Sequence, residues 1–224
     1  MNRKIIPLLV FFTATYSFAE HYLKISQGIQ SPQTNGALYR NLETNTSLKD
    51  ARISTIEAGF TTGFEGFSFG FEYANSKTEA SSLEIADADE AIFYSYYLEA
   101  TINVGETYVK EEYDINMFSL KLNYDWLLND DFNLTLSGGI GLMQIDQKLF
   151  YTNSGSSNNY SSNDKVISYQ FGVSLDYYIF DSTSLSLGTR YIGAEDAEFE
   201  YQGVTLDNGD ASSVVYEFSI KHIF

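Results

Sequence analysis

The chain has 224 residues, with no Cys, 2 Pro, 18 Tyr and 17 Phe, and 13 Lys+Arg against 30 Asp+Glu give a formal charge of −17. The lack of cysteine excludes a disulfide framework, a thiolate-bound zinc or iron–sulfur centre and a lipid-anchored cysteine. Such acidity argues against nucleic-acid binding, which runs on cations that displace counterions, and 44% hydrophobic residues are too few for a bundle of membrane helices.

Residues 1–19 read as a secretory signal peptide. Arg3 and Lys4 form a positive start, residues 5–12 are a short apolar stretch, and Ser17-Phe18-Ala19 puts small residues at the positions preceding a cut before Glu20. The segment 5–19 contains Pro7, Thr13, Thr15 and Ser17 and falls short of the about 20 apolar residues a membrane helix needs. Cleavage there removes Arg3 and Lys4 but no acid, so the remainder is more acidic still. No later segment is apolar enough to span as a helix.

From there on the chain has a period of two, the mark of strands with two unlike faces. Residues 21–30 and 51–60 alternate weakly. Phe67, Phe69, Phe71 and Tyr73 alternate with Ser68, Gly70 and Glu72. The rule holds again over 118–126, from Phe118 to Trp126, and more weakly over 133–147. Ile167, Tyr169, Phe171, Val173, Leu175 and Tyr177 alternate with Ser168, Gln170, Gly172, Ser174 and Asp176. A weaker run covers 184–192. Near the end, Val214, Tyr216, Phe218 and Ile220 alternate with Val215, Glu217, Ser219 and Lys221. These are eight segments.

A soluble sandwich also alternates, so the connections carry the distinction. Residues 61–66, 127–132 and 180–183 are short links, whereas 31–50, 76–113, 148–165 and 193–212 are long and polar. Short turns on one side and long loops on the other are the asymmetry of an outer-membrane barrel. The expected fold is therefore all-β: an eight-stranded antiparallel up-and-down transmembrane β-barrel with long extracellular loops, spanning 20–224 behind the signal peptide. Residues 91–103 alternate too. Counting them as a spanning strand gives ten strands, but 107–126 then lacks a turn signal inside it. Residues 91–103 and 107–115 are read as a hairpin above the membrane.

The ending Tyr216-x-Phe218-x-Ile220-x-His222-x-Phe224 resembles the C-terminal signature of Gram-negative outer-membrane barrels, departing from it at His222. The stretch Leu185-x-Leu187-Gly188-x-Arg190-Tyr191 is similar to the seventh strand of small OmpA-like and opacity-type surface proteins. The resemblance implies location in the bacterial outer membrane, among its lipids and lipopolysaccharide. It also implies assembly by the barrel insertion machinery, which would read Tyr216, Phe218, Ile220 and Phe224. It implies no single activity, because one fold carries many.

Parity assigns an inward set: the bases Lys24, Lys121, Arg190 and Lys221 and the acids Glu57, Glu72, Asp125, Asp176 and Glu217. Four cations and five anions in a lumen just wide enough for side chains must pair or stay hydrated. They are read as a structural plug, with a gated ion path as the sharper alternative. Gly70, Gly139, Gly141, Gly172 and Gly188 make room for them. Trp126, Tyr124, Tyr177, Tyr178 and Phe180 are taken as a lipid-facing aromatic girdle at the periplasmic rim.

Acids crowd 76–113 and 193–212. Solvation explains them most simply. Asp87-Ala88-Asp89-Glu90 lacks the spacing of a calcium loop, Leu206-Asp207-Asn208-Gly209-Asp210 reads as a tight turn, and 152–163 reads as a mobile loop. The only histidines, His21 and His222, fall near periplasmic strand ends with Leu23 and Phe224 two positions on, so no Ser–His pair is available for acyl chemistry. No catalytic residue, cofactor or metal ligand is assigned. The function expected is that of a surface or structural barrel that binds partners through acidic loops, with a narrow porin-like channel as the alternative.

Overall fold

The computed structural model describes residues 20–32, 35–39, 42–47, 49–62, 64–79, 83–84, 92, 108–153, 156–201 and 204–224. The signal peptide, the acidic stretch 85–91 and, apart from Ile92, the segment 91–103 lie outside the described residues. Among the described residues are eleven strands: β1 (His21–Pro32), β2 (Asn35–Tyr39), β3 (Leu42–Ser47), β4 (Ala51–Thr61), β5 (Phe67–Glu79), β6 (Leu83–Glu84), β7 (Tyr108–Leu127), β8 (Phe132–Asn153), β9 (Ser156–Phe180), β10 (Thr183–Tyr201) and β11 (Val204–Ile223).

Strands β1, β4, β5, β7, β8, β9, β10 and β11 pair antiparallel in that order, and β1 pairs with β11 to close the barrel. The short β2–β3 hairpin attaches to β11, and β6 lies beside β7. Register fixes the shape. From Tyr22 the pairings run through Gly59, Gly70, Lys121, Gly139, Gln170, Ile192 and Ser213 and return to β1 at Pro32, ten residues above the start. With about 4.8 Å between strands and about 3.3 Å per residue, that stagger means a tilt of roughly 40° and a backbone radius of roughly 8 Å. Side chains fill a cylinder of that size.

The outer face is apolar and bare. Phe71, Ile140, Phe171 and Leu187 are each more than 60% exposed, and neighbours on the same face such as Leu120, Leu142, Ile167 and Ile220 are exposed as well. A continuous surface of this kind is stable against hydrocarbon, not water. Directly opposed rings reinforce it: Phe67–Tyr124, Tyr73–Phe118 and Phe132–Tyr177 have centroids 4.8, 4.9 and 5.0 Å apart. At the periplasmic end the links are tight. Gly66, at φ 80°, takes the left-handed conformation the β4–β5 turn requires. In the β7–β8 turn the Asn129 side chain accepts the amides of Asp131 and Phe132 at 2.9 and 3.0 Å.

The extracellular end differs from the sequence reading. Within 148–165 and 193–212 the described residues are strand, not loop. β8 and β9 stay paired up to Asn153–Ser156, and β10 and β11 up to Tyr201–Val204. Residues 206–210 are part of β11 rather than a tight turn, with Asp207 opposite Glu198. Residues 156–163 likewise belong to β9. Composition is a poor guide here, because a Ser/Asn-rich hairpin continues a ladder that the membrane strands have already set in register. Tyr178 is also corrected. It follows Tyr177, so it takes the opposite face, is half-buried and lies inside the barrel, where its hydroxyl accepts from Asn133 Nδ2 at 2.9 Å.

Inside, two layers succeed one another. The periplasmic and central part is polar. Toward the extracellular end the inward positions turn apolar, and Ile53, Met117, Met143, Ile145, Ile192 and Val215 are all at most 4% exposed. They form a small hydrophobic core across the upper lumen, absent from the sequence reading.

Candidate functional site

The central polar layer draws on seven strands. Lys121 on β7 donates to Glu57 Oε2 on β4 at 2.8 Å and to Glu72 Oε2 on β5 at 3.1 Å. Arg190 on β10 donates from Nη1 to Glu72 Oε1 at 2.7 Å and to Gln170 Oε1 at 2.9 Å, and from Nη2 to Thr55 Oγ1 at 2.9 Å. Glu217 on β11 completes its ion pairs at 3.5 Å. On β1, the Tyr22 hydroxyl donates to Glu57 Oε1 at 2.6 Å, and Asn123 Nδ2 reaches the same oxygen at 3.0 Å. Gln170 Nε2 donates to Glu72 Oε1 at 3.0 Å. The charged side chains are at most 9% exposed.

The eighth strand, β8, contributes space instead. A Cβ on Gly139 would crowd Gln170 Cγ and Lys121 Cγ at 3.0 and 3.1 Å. Gly70 likewise clears room for Glu57 and the Tyr22 hydroxyl. Burying ions costs more than their attraction returns unless geometry and hydrogen bonds are complete. Here each central carboxylate of Glu57 and Glu72 meets at least one cation and one neutral donor.

A second cluster lies below. Lys221 Nζ stands 3.3 Å from Asp125 Oδ2 and 4.8 Å from the centre of the Tyr22 ring. Thr135 Oγ1 is within hydrogen-bonding distance of both Asp125 and Asp176, so its single proton serves one carboxylate at a time. Ser174 donates to Asp176 at 3.1 Å. Between the clusters is a cavity of about 20 Å³, lined among others by Lys24, Glu57, Asp176, Glu217 and Lys221. That volume is on the order of a single water.

Of the nine inward charges read from parity, Glu57, Glu72, Lys121, Arg190 and Glu217 meet in the centre and Asp125 and Lys221 in the lower cluster. Asp176 joins through Thr135. Lys24 lines the cavity and forms no ion pair among the described residues. Tyr22, Thr55, Asn123, Gln170 and Thr135 were not singled out by the sequence, though each falls on the inward parity. Tyr216, Phe218, Ile220 and Phe224 point away from the lumen, 63%, 44%, 48% and 73% exposed. His222 accepts from or donates to Thr183 Oγ1 at 2.8 Å through Nδ1, and stacks edge-on with Phe224 at 4.8 Å. Among the described residues no group of His, Asp and Glu is arranged to hold a metal ion.

No family model matches the sequence, and no curated protein does. Solved structures do. Neisserial surface protein A is 12% identical, with 92% of this chain and 99% of that one aligned and a TM-score of 0.53. The outer membrane protease OmpT from Escherichia coli is 12% identical, with 92% and 97% aligned and a TM-score of 0.51. At this identity the likeness is one of fold. The fold is that of bacterial outer-membrane β-barrels, and the apolar belt fits it to that membrane.

Proposed function

We propose that the protein is a closed outer-membrane barrel with a surface or structural role, meeting its partners through the acidic hairpins that rise above the membrane. The observation that carries this reading is the filled lumen. Ion pairs and hydrogen bonds from seven strands cross the centre, a hydrophobic layer covers them on the extracellular side, and the room between the clusters is about 20 Å³. Such an interior leaves little room for a solute path, which favours action at the surface. The likeness to a protease carries no catalytic reading onto this chain, whose two histidines both stand at the periplasmic rim.

On this reading the outward acids of β10 are contact residues. Glu195, Asp196 and Glu198 are exposed on one short arm, and the paired β11 adds Asp207 and Asp210 opposite Glu198 and Asp196. An arm this rich in exposed carboxylates is complementary to a cationic partner. The test uses the barrel in nanodiscs and its binding to poly-lysine against poly-glutamate. Neutralising Glu195, Asp196 and Glu198 together should abolish most poly-lysine binding, whereas neutralising Asp130, Asp131 and Asp181 on the periplasmic turns should not. Equal loss from both sets would reduce the interaction to net charge and overturn the assignment.

A further inference from the structure

The chain's few cations are unevenly placed. Of the lysines and arginines after residue 19, all but Arg40 are described. Lys24, Lys121, Arg190 and Lys221 face the lumen. Lys49, Arg52, Lys77, Lys110, Lys148 and Lys165 lie on the outer surface, all toward the extracellular end. The periplasmic turns carry Glu65, Asp130, Asp131 and Asp181 and no base. These cations stand at different heights and among acids, so net charge alone marks no anion site and the particular neighbours decide.

Two of the six stand together. Arg52 and Lys77 are direct partners across β4 and β5, on the same outward face. Like charges directly opposite are unfavourable unless a counter-charge sits between them. Lys77 has one acid, Asp114, at 2.6 Å. Arg52 forms no ion pair among the described residues. Beneath them the lipid face ends in a polar ledge across five strands: Gln27, Ser54, Asn75, Asn116 and Gln144 are register neighbours. Gln27 donates to Ser54 at 2.8 Å, and Asn75 and Tyr73 donate to Asn116 Oδ1 at 3.0 and 2.7 Å. One step below are Ile56 and Tyr73, in the apolar belt. Arg52 is thus about 13 Å along the strand from the last lipid-facing aliphatic residue of β4, within a side chain's reach of the boundary between hydrocarbon and headgroups.

We propose that Arg52 and Lys77 form a binding site for the phosphate of an outer-leaflet lipid headgroup. The guanidinium supplies a planar, bidentate donor set and the ammonium a point charge. The ledge, directly below, fixes the depth at which the lipid's chains begin. The site is specific to a membrane-bound phosphate because the acyl chains of the same molecule lie against Ile56, Phe71 and Tyr73.

The test is retention of lipid by the purified barrel in phosphatidylcholine nanodiscs doped with diphosphorylated lipid A, read by native mass spectrometry. The wild type should retain lipid A, and the double variant Arg52→Gln with Lys77→Gln should lose it, by roughly fivefold for each cation removed. Asp114→Asn, which releases Lys77 from its acid, should retain at least as much as the wild type. Lys148→Gln with Lys165→Gln, on the far side, should leave retention unchanged. The heat-dependent gel shift verifies that each variant is folded, and all four substituted side chains of the two pairs are on the surface. Undiminished retention in the Arg52/Lys77 variant would overturn the proposal. So would equal loss in the Lys148/Lys165 variant, or displacement of the lipid by millimolar inorganic phosphate, which would make the site one for free anions.

Discussion

Arg190 is where the interior converges. Its guanidinium meets Glu72, Gln170, Thr55 and Glu217 from four other strands. Arg190→Leu leaves two carboxylates facing an apolar side chain, a loss on the order of 3 kcal/mol for breaking one partner of a buried pair. The temperature at which the barrel loses its heat-modified gel mobility should fall accordingly. A second titratable residue lies above the membrane. Glu111 accepts the Tyr113 hydroxyl at 2.6 Å, and Gln147 donates to that hydroxyl at 2.8 Å. Burial raises its carboxyl above the ordinary range, opposed by hydrogen bonds from Tyr113 and Gln147. The folded state therefore holds this proton to higher pH than the unfolded chain. Its charged form weighs against the fold, so stability from this group is greatest at low pH and declines as pH rises from about 4.3, the unfolded value. Between about pH 4 and pH 8, Glu111→Gln should lessen the fall in melting temperature relative to the wild type. Melting curves of the two proteins that keep a constant separation would contradict it. At this scale the charges were legible, because a Lys or Glu at an inward position of an aromatic-faced strand has no other place to go. Asn123, Gln170 and Tyr22 were not, since neutral polar side chains look the same whether they join a network or merely line it.

Strands were easier to detect than to measure. The aromatic faces of 67–73, 118–126 and 167–177 locate the membrane crossing. They fall silent above it, where both faces of β8, β9 and β10 meet water or the protein's own core and the alternation loses contrast. Hence β9 runs from Ser156 to Phe180, well beyond the ~9–11 residues needed to cross. The upper apolar layer was missed for the same reason: Met143 and Ile145 share the inward parity of Gly139 and Gly141, but their polar outward neighbours, Gln144 and Asp146, remove the contrast between the two faces. The topology makes a direct prediction, helped by the absence of native cysteine. A membrane-impermeant thiol reagent on intact cells should label Lys148→Cys and Ser161→Cys and leave Asp130→Cys untouched; labelling of Asp130→Cys alone would invert the barrel. The last strand carries another. Phe224 is 73% exposed at the periplasmic rim, and even a charge there costs only ~0–1 kcal/mol. Its deletion should nevertheless prevent surface assembly in cells while the same variant refolds in detergent, because the terminal aromatic is proposed to be read during insertion. Normal surface levels would remove that role.

For the molecule as a whole, the two interior layers have different consequences. Ion pairs can exchange partners, and Lys24, beside the cavity with no ion pair of its own among the described residues, is a ready participant in such exchange. The apolar layer has no such freedom. Opening a water path through Ile53, Met117, Met143, Ile192 and Val215 would expose packed hydrocarbon at about 25 cal/mol per Å². Closure therefore rests on the hydrophobic layer as much as on the charges, and a barrel with its ion pairs weakened should still be shut. The most direct measurement is single-channel recording of the purified protein, and of its Arg190→Leu variant, in planar lipid bilayers. Both are expected to give a flat baseline under applied voltage. Steady unitary current steps from the wild-type protein, scaling with salt concentration, would show a continuous aqueous path and contradict the closed barrel.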